Sequence, residues 1–286
     1  MNKDLDFEGK HKEDLERLHN LRLLDDDFMT KVFEDAKCAE FLLQIILKRD
    51  DLKVTKATSQ YGIKNLQGRS VRLDILAVDQ KNHVYNIEIQ RSDHGAGVKR
   101  ARYNSSLIDA NVTEPGEQYE ALNESYVIFI TENDVLGKGL PIYHIERTVT
   151  ETGEPFGDEE HIVYVNSQIK DETSLGKLMH DFACIEAKDM YYPVLADRVR
   201  YFKEDEKGVT VMCKAMEDMR NEARAEGKAE GKAEGRVVGR AEGSKENAIS
   251  VARKMLKTER FSHEEIADFS GLTVDEVKEL ATKQPA

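Results

Sequence analysis

Cysteine is scarce in this chain. Cys38, Cys184 and Cys213 are the three in 286 residues. They are odd in number, far apart and without ligand spacing, which argues against a disulfide framework and for a reducing, cytoplasmic compartment. Long apolar runs are missing as well. No stretch approaches the roughly 20 apolar residues of a membrane span, and the N-terminal MNKDLDFEGKHKEDLERL is too charged to hold the apolar core of a secretory signal. Positive charge is in deficit: 42 Lys and Arg stand against 55 Asp and Glu, a formal net charge of −13. Bulk charge therefore does not draw the protein to nucleic acid, and any such binding has to come from a local basic patch. Aromatic residues make up 7% of the chain and charged ones 34%. The length suffices for one sizeable core plus a smaller module.

Against that background one stretch stands out, VRLDILAVDQKNHVYNIEIQR, residues 71–91. Val71, Leu73, Ile75 and Ala77 alternate with Arg72, Asp74, Leu76 and Val78. Tyr85, Ile87 and Ile89 alternate with Asn86, Glu88 and Gln90. This period of two predicts two strands. A symmetric hairpin with Gln80, Lys81 and Asn82 as its loop sets Val78 opposite Val84, Asp74 opposite Glu88 and Arg72 opposite Gln90. A slip of one residue would mix the apolar and polar faces. Carboxylates directly opposed across strands sit roughly 4.5–5.5 Å apart at Cβ and repel. Two readings follow: a solvated sheet face, or a hard divalent cation held between Asp74 and Glu88.

Upstream, the pattern predicts one buried helix over 27–48, apolar nearly all round, with Glu40 on a stripe shared with Phe33, Leu43 and Leu47. A carboxylate there needs a partner cation, a metal or a place at the stripe's edge. A strand follows over 52–63. After the hairpin, 95–110 reads as a helix that brings Lys99, Arg100 and Arg102 together beside Tyr103. This grouping suits phosphate-backbone contact, or simply a solvated face. Residues 125–131 form a continuous apolar run, as expected of a buried central strand. Strands over 142–149 and 161–165 make a second hairpin, and 175–184 and 194–202 are amphipathic helices.

From about residue 209 the sequence turns helical, with a period of four. Arg224, Lys228, Lys232, Arg236 and Arg240 form one row, Gly227, Gly231, Gly235, Gly239 and Gly243 another, and Glu222, Glu226, Glu230 and Glu234 a third. Alone such a helix is poor, since each glycine costs about 1 kcal/mol relative to alanine. A glycine row lets two backbones approach closely, and a period above 3.6 favours right-handed coiling. Residues 220–245 thus read as a self-association stalk or, otherwise, as a flexible linker. Beyond them, Ser262–Glu265 and Thr273–Glu276 are capping-box patterns flanking a Ser270–Gly271 turn, a helix-turn-helix arrangement. Its second helix opens with Asp275 and Glu276, the wrong sign for phosphates.

Taken together, VRLDILAVD, YNIEIQR, KRARYNSSLIDA, SYVIFITENDVLGKGLPIYHIER and the glycine-periodic tail resemble the PD-(D/E)xK nuclease superfamily. Within it they resemble the PD-(D/E)xK family transposases, also called recombination-promoting nucleases. The resemblance spans roughly residues 25–245. It implies an α/β, restriction-endonuclease-like αβββαβ core with a mixed sheet, and a Mg2+-dependent (or Mn2+-dependent) DNA endonuclease. By position, Asp74, Glu88 and the Ile89 carbonyl would be metal ligands. Gln90 would stand where the superfamily usually has lysine, and Glu40 where some members add an acid. Leu73 replaces the proline of the motif's name. DNA is the implied partner, with Arg72, Lys99, Arg100, Arg102 and Tyr103 against its backbone. The alternative is a chain that keeps the fold for DNA binding or protein association without catalysis. The expected organisation is a charged arm over 1–24, the nuclease-like domain over 25–205, the long helix over 206–245 and a small helical module over 246–286. The expected assembly is a homo-oligomer with no membrane contact.

Overall fold

A computed structural model describes residues 12–65, 68–91, 95–113 and 116–282. They group into two compact units, 1–218 and 219–286.

The first unit begins with a helical segment, α1 (residues 12–20). The single helix expected over 27–48 is two, α2 (Asp26–Phe33) and α3 (Ala36–Leu47). The break falls at Asp35, whose backbone is extended (ψ 117°) and whose carboxylate accepts the Lys37 N–H. Aspartate is among the best N-caps because it satisfies an amide that a helix start leaves without a partner. Each shorter helix then buries its own apolar set: Phe28, Met29, Val32 and Phe33 on α2, and Cys38, Ala39, Leu42, Leu43 and Ile46 on α3.

Six strands form one mixed sheet: β1 (Val54–Ile63), β2 (Val71–Asp79), β3 (Val84–Gln90), β4 (Ser125–Thr131), β5 (Ile142–Ile145) and β6 (Glu160–Asn166), in the order β1-β2-β3-β4-β6-β5. The pairs β1/β2, β2/β3 and β5/β6 are antiparallel, while β3/β4 and β4/β6 are parallel. The parallel step from β3 to β4 is made by α4 (Val98–Val112), as a parallel pair requires a crossover. This is the αβββαβ order read from the sequence. β4 is buried at every position, which explains its unbroken apolar run. β5 is shorter than expected, ending at Ile145; beyond it the hairpin is continued only by an isolated bridge between Thr148 and Pro155.

Sheet parity places Leu76, Glu88 and Phe129 on the face that carries α4, where Phe129 stacks on Tyr164 and the Tyr164 hydroxyl donates to the Ala96 carbonyl at 2.9 Å. The other parity, with Ile75, Ala77, Ile87, Ile89, Ile128 and Ile130, is fully buried too, and α2 and α3 pack on the β1–β3 end of the sheet. Two further helices, α5 (Ser174–Ala183) and α6 (Pro193–Glu204), complete this group through Phe33–Phe182 and Phe28–Phe202 ring contacts.

Helix α7 (Glu206–Leu256) is unbroken through the glycine rows. A Cβ added at Gly227, Gly231, Gly235, Gly239 or Gly243 would meet open space. In the second unit, α8 (His263–Ser270) and α9 (Val274–Thr282) join at Gly271, whose φ of 75° is the left-handed conformation that glycine adopts without strain. Both capping boxes form, Ser262 with Glu265 and Thr273 with Glu276. Ala252, Ile266, Ala267, Leu272 and Val277 make a small core. Among the described residues no helix is long and apolar enough to cross a membrane.

Candidate active site

The site is built on the β2–β3 hairpin. Val78 pairs with Val84 and Ile75 with Ile87, the register predicted from parity. The loop is held by a residue that carried no weight in the sequence pattern. Buried Asp79 accepts the N–H groups of Lys81 (2.8 Å) and His83 (2.9 Å) and the Tyr85 hydroxyl (2.9 Å). Asn82 takes φ 65°, a conformation asparagine tolerates better than most residues. The turn therefore pins the register, and the register aligns the two acids.

The β2–β3 ladder ends at Ile75–Ile87. One step further, the Ile89 N–H donates to Asp74 Oδ2 at 3.1 Å instead of to a strand carbonyl. Glu88 has no solvent exposure. Its Oε2 accepts Arg100 Nη2 at 2.7 Å, while Arg100 Nη1 donates to the Gly95 carbonyl at 2.9 Å. The guanidinium carbon also lies 6.0 Å from the Phe129 ring centre. Glu88 Oε1 is buried and has no hydrogen-bond partner of good geometry among the described residues. Burial raises the pKa of Glu88 first and the charge of Asp74 second, against the lowering effect of Arg100. Burial likewise raises Asp74, with Asp26 adding to it, against the Ile89 N–H and Arg100. The pair resists carrying two negative charges at neutral pH unless a further cation joins it.

Gln90 sits at the end of β3, partly buried. Its side chain lies so close over Gly95 that a Cβ added there would collide with Gln90 Oε1. Glycine at 95 is what lets the amide lie along the backbone that also receives Arg100. Gln90 thus flanks Glu88 without contributing charge.

Glu40 is not brought to this pair. Its carboxylate accepts Lys53 Nζ (2.8 Å) and the Val54 N–H (3.0 Å), and Val54 pairs with Asp79, five residues along β2 from Asp74. An acid on a buried stripe needs a partner, and Lys53 is that partner. The helix acid that acts on Asp74 is Asp26, at the start of α2 and itself raised by burial and by Asp27 and Asp25. In the sequence these three aspartates read only as favourable charge at a helix N-terminus. Which of them turns toward the sheet depends on how α2 docks.

The basic residues also divide. Arg100, expected against DNA, is committed to Glu88 and Gly95. Arg72, Lys99, Arg102 and Tyr103 do line one cleft with Arg100, of about 940 Å3, and Arg69 joins them. Tyr103 is fixed there by donating to the Arg69 carbonyl and accepting from Asn65 Nδ2 (3.2 Å). Arg69 carried no sequence signal, because it lies between elements.

A metal fits this donor set. Two carboxylates with raised pKa values meet in one place, one oxygen is buried without a hydrogen bond of good geometry among the described residues, and the donor atoms on offer are all oxygen, as hard divalent ions such as Mg2+ prefer. No significant similarity to a curated protein or to a solved structure is found. The profile of the family described as PD-(D/E)XK nuclease family transposase matches residues 9–178, which takes in every strand of the sheet. With this match over more than half its length, and with the hairpin acids and mixed sheet just described, the chain belongs to the PD-(D/E)XK nuclease family transposases.

Proposed function

We propose that this protein is a Mg2+-dependent DNA endonuclease that hydrolyses phosphodiester bonds at the Asp74–Glu88 pair. The observation that carries the reading is the buried Glu88 beside Asp74, with Oε1 left without a hydrogen bond of good geometry among the described residues, although Asn86 lies near enough to lower the Glu88 pKa. Asp74 and Glu88 Oε1 would hold the ion. The Ile89 carbonyl would join them, since the N–H and C=O of one strand residue point to the same side and the Ile89 N–H already meets Asp74. When bound, Mg2+ polarises the scissile phosphate and lowers the pKa of a coordinated water.

The remaining work belongs to the chain. Arg100 holds Glu88 Oε2, so that Oε1 stays aimed at the site, and it supplies the positive charge that Gln90 does not. The Gln90 amide, resting on Gly95, orients the attacking water. Asp26 adds negative potential from α2 and draws the cation in. Arg69, Arg72, Lys99 and Arg102 hold the DNA backbone in the cleft beside the pair, a local answer to the overall charge of −13. Substrate phosphate then completes the ion's ligands, as is usual where only one or two carboxylates are present.

Nicking of supercoiled plasmid with Mg2+ tests the assignment. Asp74→Ala and Glu88→Gln should abolish nicking, whereas Glu40→Gln, which touches only the Lys53 and Val54 contacts, should cleave as the parent does. Equal nicking by the parent and Asp74→Ala would overturn the proposal.

We also infer that residues 220–245 self-associate. The support is the row of five glycines open along α7, which makes no use of its smallness among the described residues. Close backbone approach to a second copy would use it, and flanking acidic and basic rows could pair across such a contact.

A further inference from the structure

Beyond the residues matched by the family, the last turn of α5 gathers three side chains that the nuclease reading leaves unused. His180 Nδ1 lies 3.4 Å from Asp181 Oδ1 and 3.5 Å from Cys184 Sγ. One ligand atom from each of the three residues can be chosen so that all lie within 4.8 Å of one another. The group is held from outside its own helix. Asp181 is fully buried, and its two oxygens accept the N–H groups of Tyr191 (2.7 Å) and Tyr192 (2.9 Å), just ahead of α6. The His180 ring lies 4.7 Å from the Tyr191 ring.

These distances can be compared with what an ion would require. Zinc sits about 2.3 Å from cysteine sulfur, about 2.0–2.1 Å from histidine nitrogen and about 2.0–2.2 Å from carboxylate oxygen, in tetrahedral geometry. The edges of that tetrahedron are then about 3.5 Å for S···N and about 3.4 Å for N···O. Two of the three separations in the cluster, S···N at 3.5 Å and N···O at 3.4 Å, coincide with them, and the third, S···O, lies within 4.8 Å, so that a small shift of one side chain would close the set.

We propose that His180, Asp181 and Cys184 form a Zn2+ site, separate from the Asp74–Glu88 centre and independent of whether that centre cleaves DNA. The mixed nitrogen, oxygen and sulfur set discriminates against Mg2+, which takes oxygen ligands, and suits a softer ion. Binding would form the zinc–sulfur bond and release the thiol proton to solvent. Three protein ligands leave the fourth position to water. Because Asp181 already holds the Tyr191–Tyr192 backbone, the ion would lock the end of α5 to the start of α6.

The test uses the full-length chain, stripped of metal and titrated with Co2+ and Zn2+. The expected result is a thiolate-to-cobalt charge-transfer absorption and one equivalent of zinc retained after desalting. Cys184→Ser should lose the absorption and His180→Ala should lower zinc retention at least tenfold, each with an unchanged circular dichroism spectrum. Asp74→Ala should keep both signals. Absence of the charge-transfer band in the parent, or its persistence in Cys184→Ser, would overturn the site, because the short contacts would then be hydrogen bonds alone. Loss of both signals in Asp74→Ala would also overturn it, by locating the metal in the hairpin.

Discussion

Replacing Asp74 with asparagine should make the metal-free protein more stable while removing its activity. The side chain keeps its shape and its acceptor for the Ile89 N–H but loses its charge. Two like charges held as close as opposed strand residues, about 5 Å, would repel by roughly 3 kcal/mol at an effective dielectric constant of about 20, a cost the metal-free pair meets by retaining a proton that free carboxylates would release at neutral pH. Arg100, bonded to Glu88 at 2.7 Å, offsets part of this, so a net gain of about 1–2 kcal/mol is expected for Asp74→Asn. For a unit of this size that corresponds to a rise in Tm of roughly 2–8 °C. The pH dependence has a definite sign. Asp74 has a folded-state pKa raised chiefly by burial and then by Asp26. Its contribution to stability is therefore fully present below the unfolded value of about 3.9 and is lost as pH rises through the raised value. The advantage of the variant should vanish in acid and open as pH rises toward neutrality. Magnesium should reverse the order. The parent gains about 2.7 kcal/mol at a hundredfold excess over Kd, and the variant gains nothing. Thermal unfolding over a pH series, with and without Mg2+, measures all of this. A variant less stable than the parent at neutral pH without metal would refute the account of the site as a repelling acid pair.

Other consequences follow from the same geometry. Arg100→Ala should cut Mg2+-dependent nicking far more than Arg100→Lys, because Glu88 Oε2 loses its only charged donor among the described residues; equal rates for the two would remove Arg100 from the mechanism. A Lys99→Ala/Arg102→Ala double variant should weaken DNA binding and reduce the slope of log K against log salt by about 2, read from fluorescence anisotropy across a salt series. Deleting residues 220–245 should lower the mass measured by light scattering to that of a single chain, and an unchanged mass would dismiss the stalk.

What the amino-acid order determined by itself is local and periodic. Side chains in a strand alternate, and a short loop returns the chain at once, so the β2–β3 register and the meeting of Asp74 with Glu88 could be read from residues 71–91 alone. The same holds for the buried β4, the basic start of α4, the two capping boxes and the family resemblance, which gathers such local blocks. Tertiary structure decided whatever required two distant segments to choose each other. A helical stripe records that Glu40 must find a partner but not that Lys53 is the partner. Three adjacent aspartates do not reveal that Asp26 acts on Asp74 until α2 docks on the sheet. Arg100 looks like its neighbours Lys99 and Arg102 until packing of α4 delivers it to a carboxylate with no solvent exposure. Cys184 looks isolated when cysteines are compared with one another, whereas its neighbours are His180 one turn back and an Asp181 held by the backbone ten residues on. The acid pair is thus written in a strand's period of two, while the charges that tune it and the His180–Asp181–Cys184 cluster depend on helix packing, where long-range desolvation and pairing, rather than spacing along the chain, set which polar group meets which.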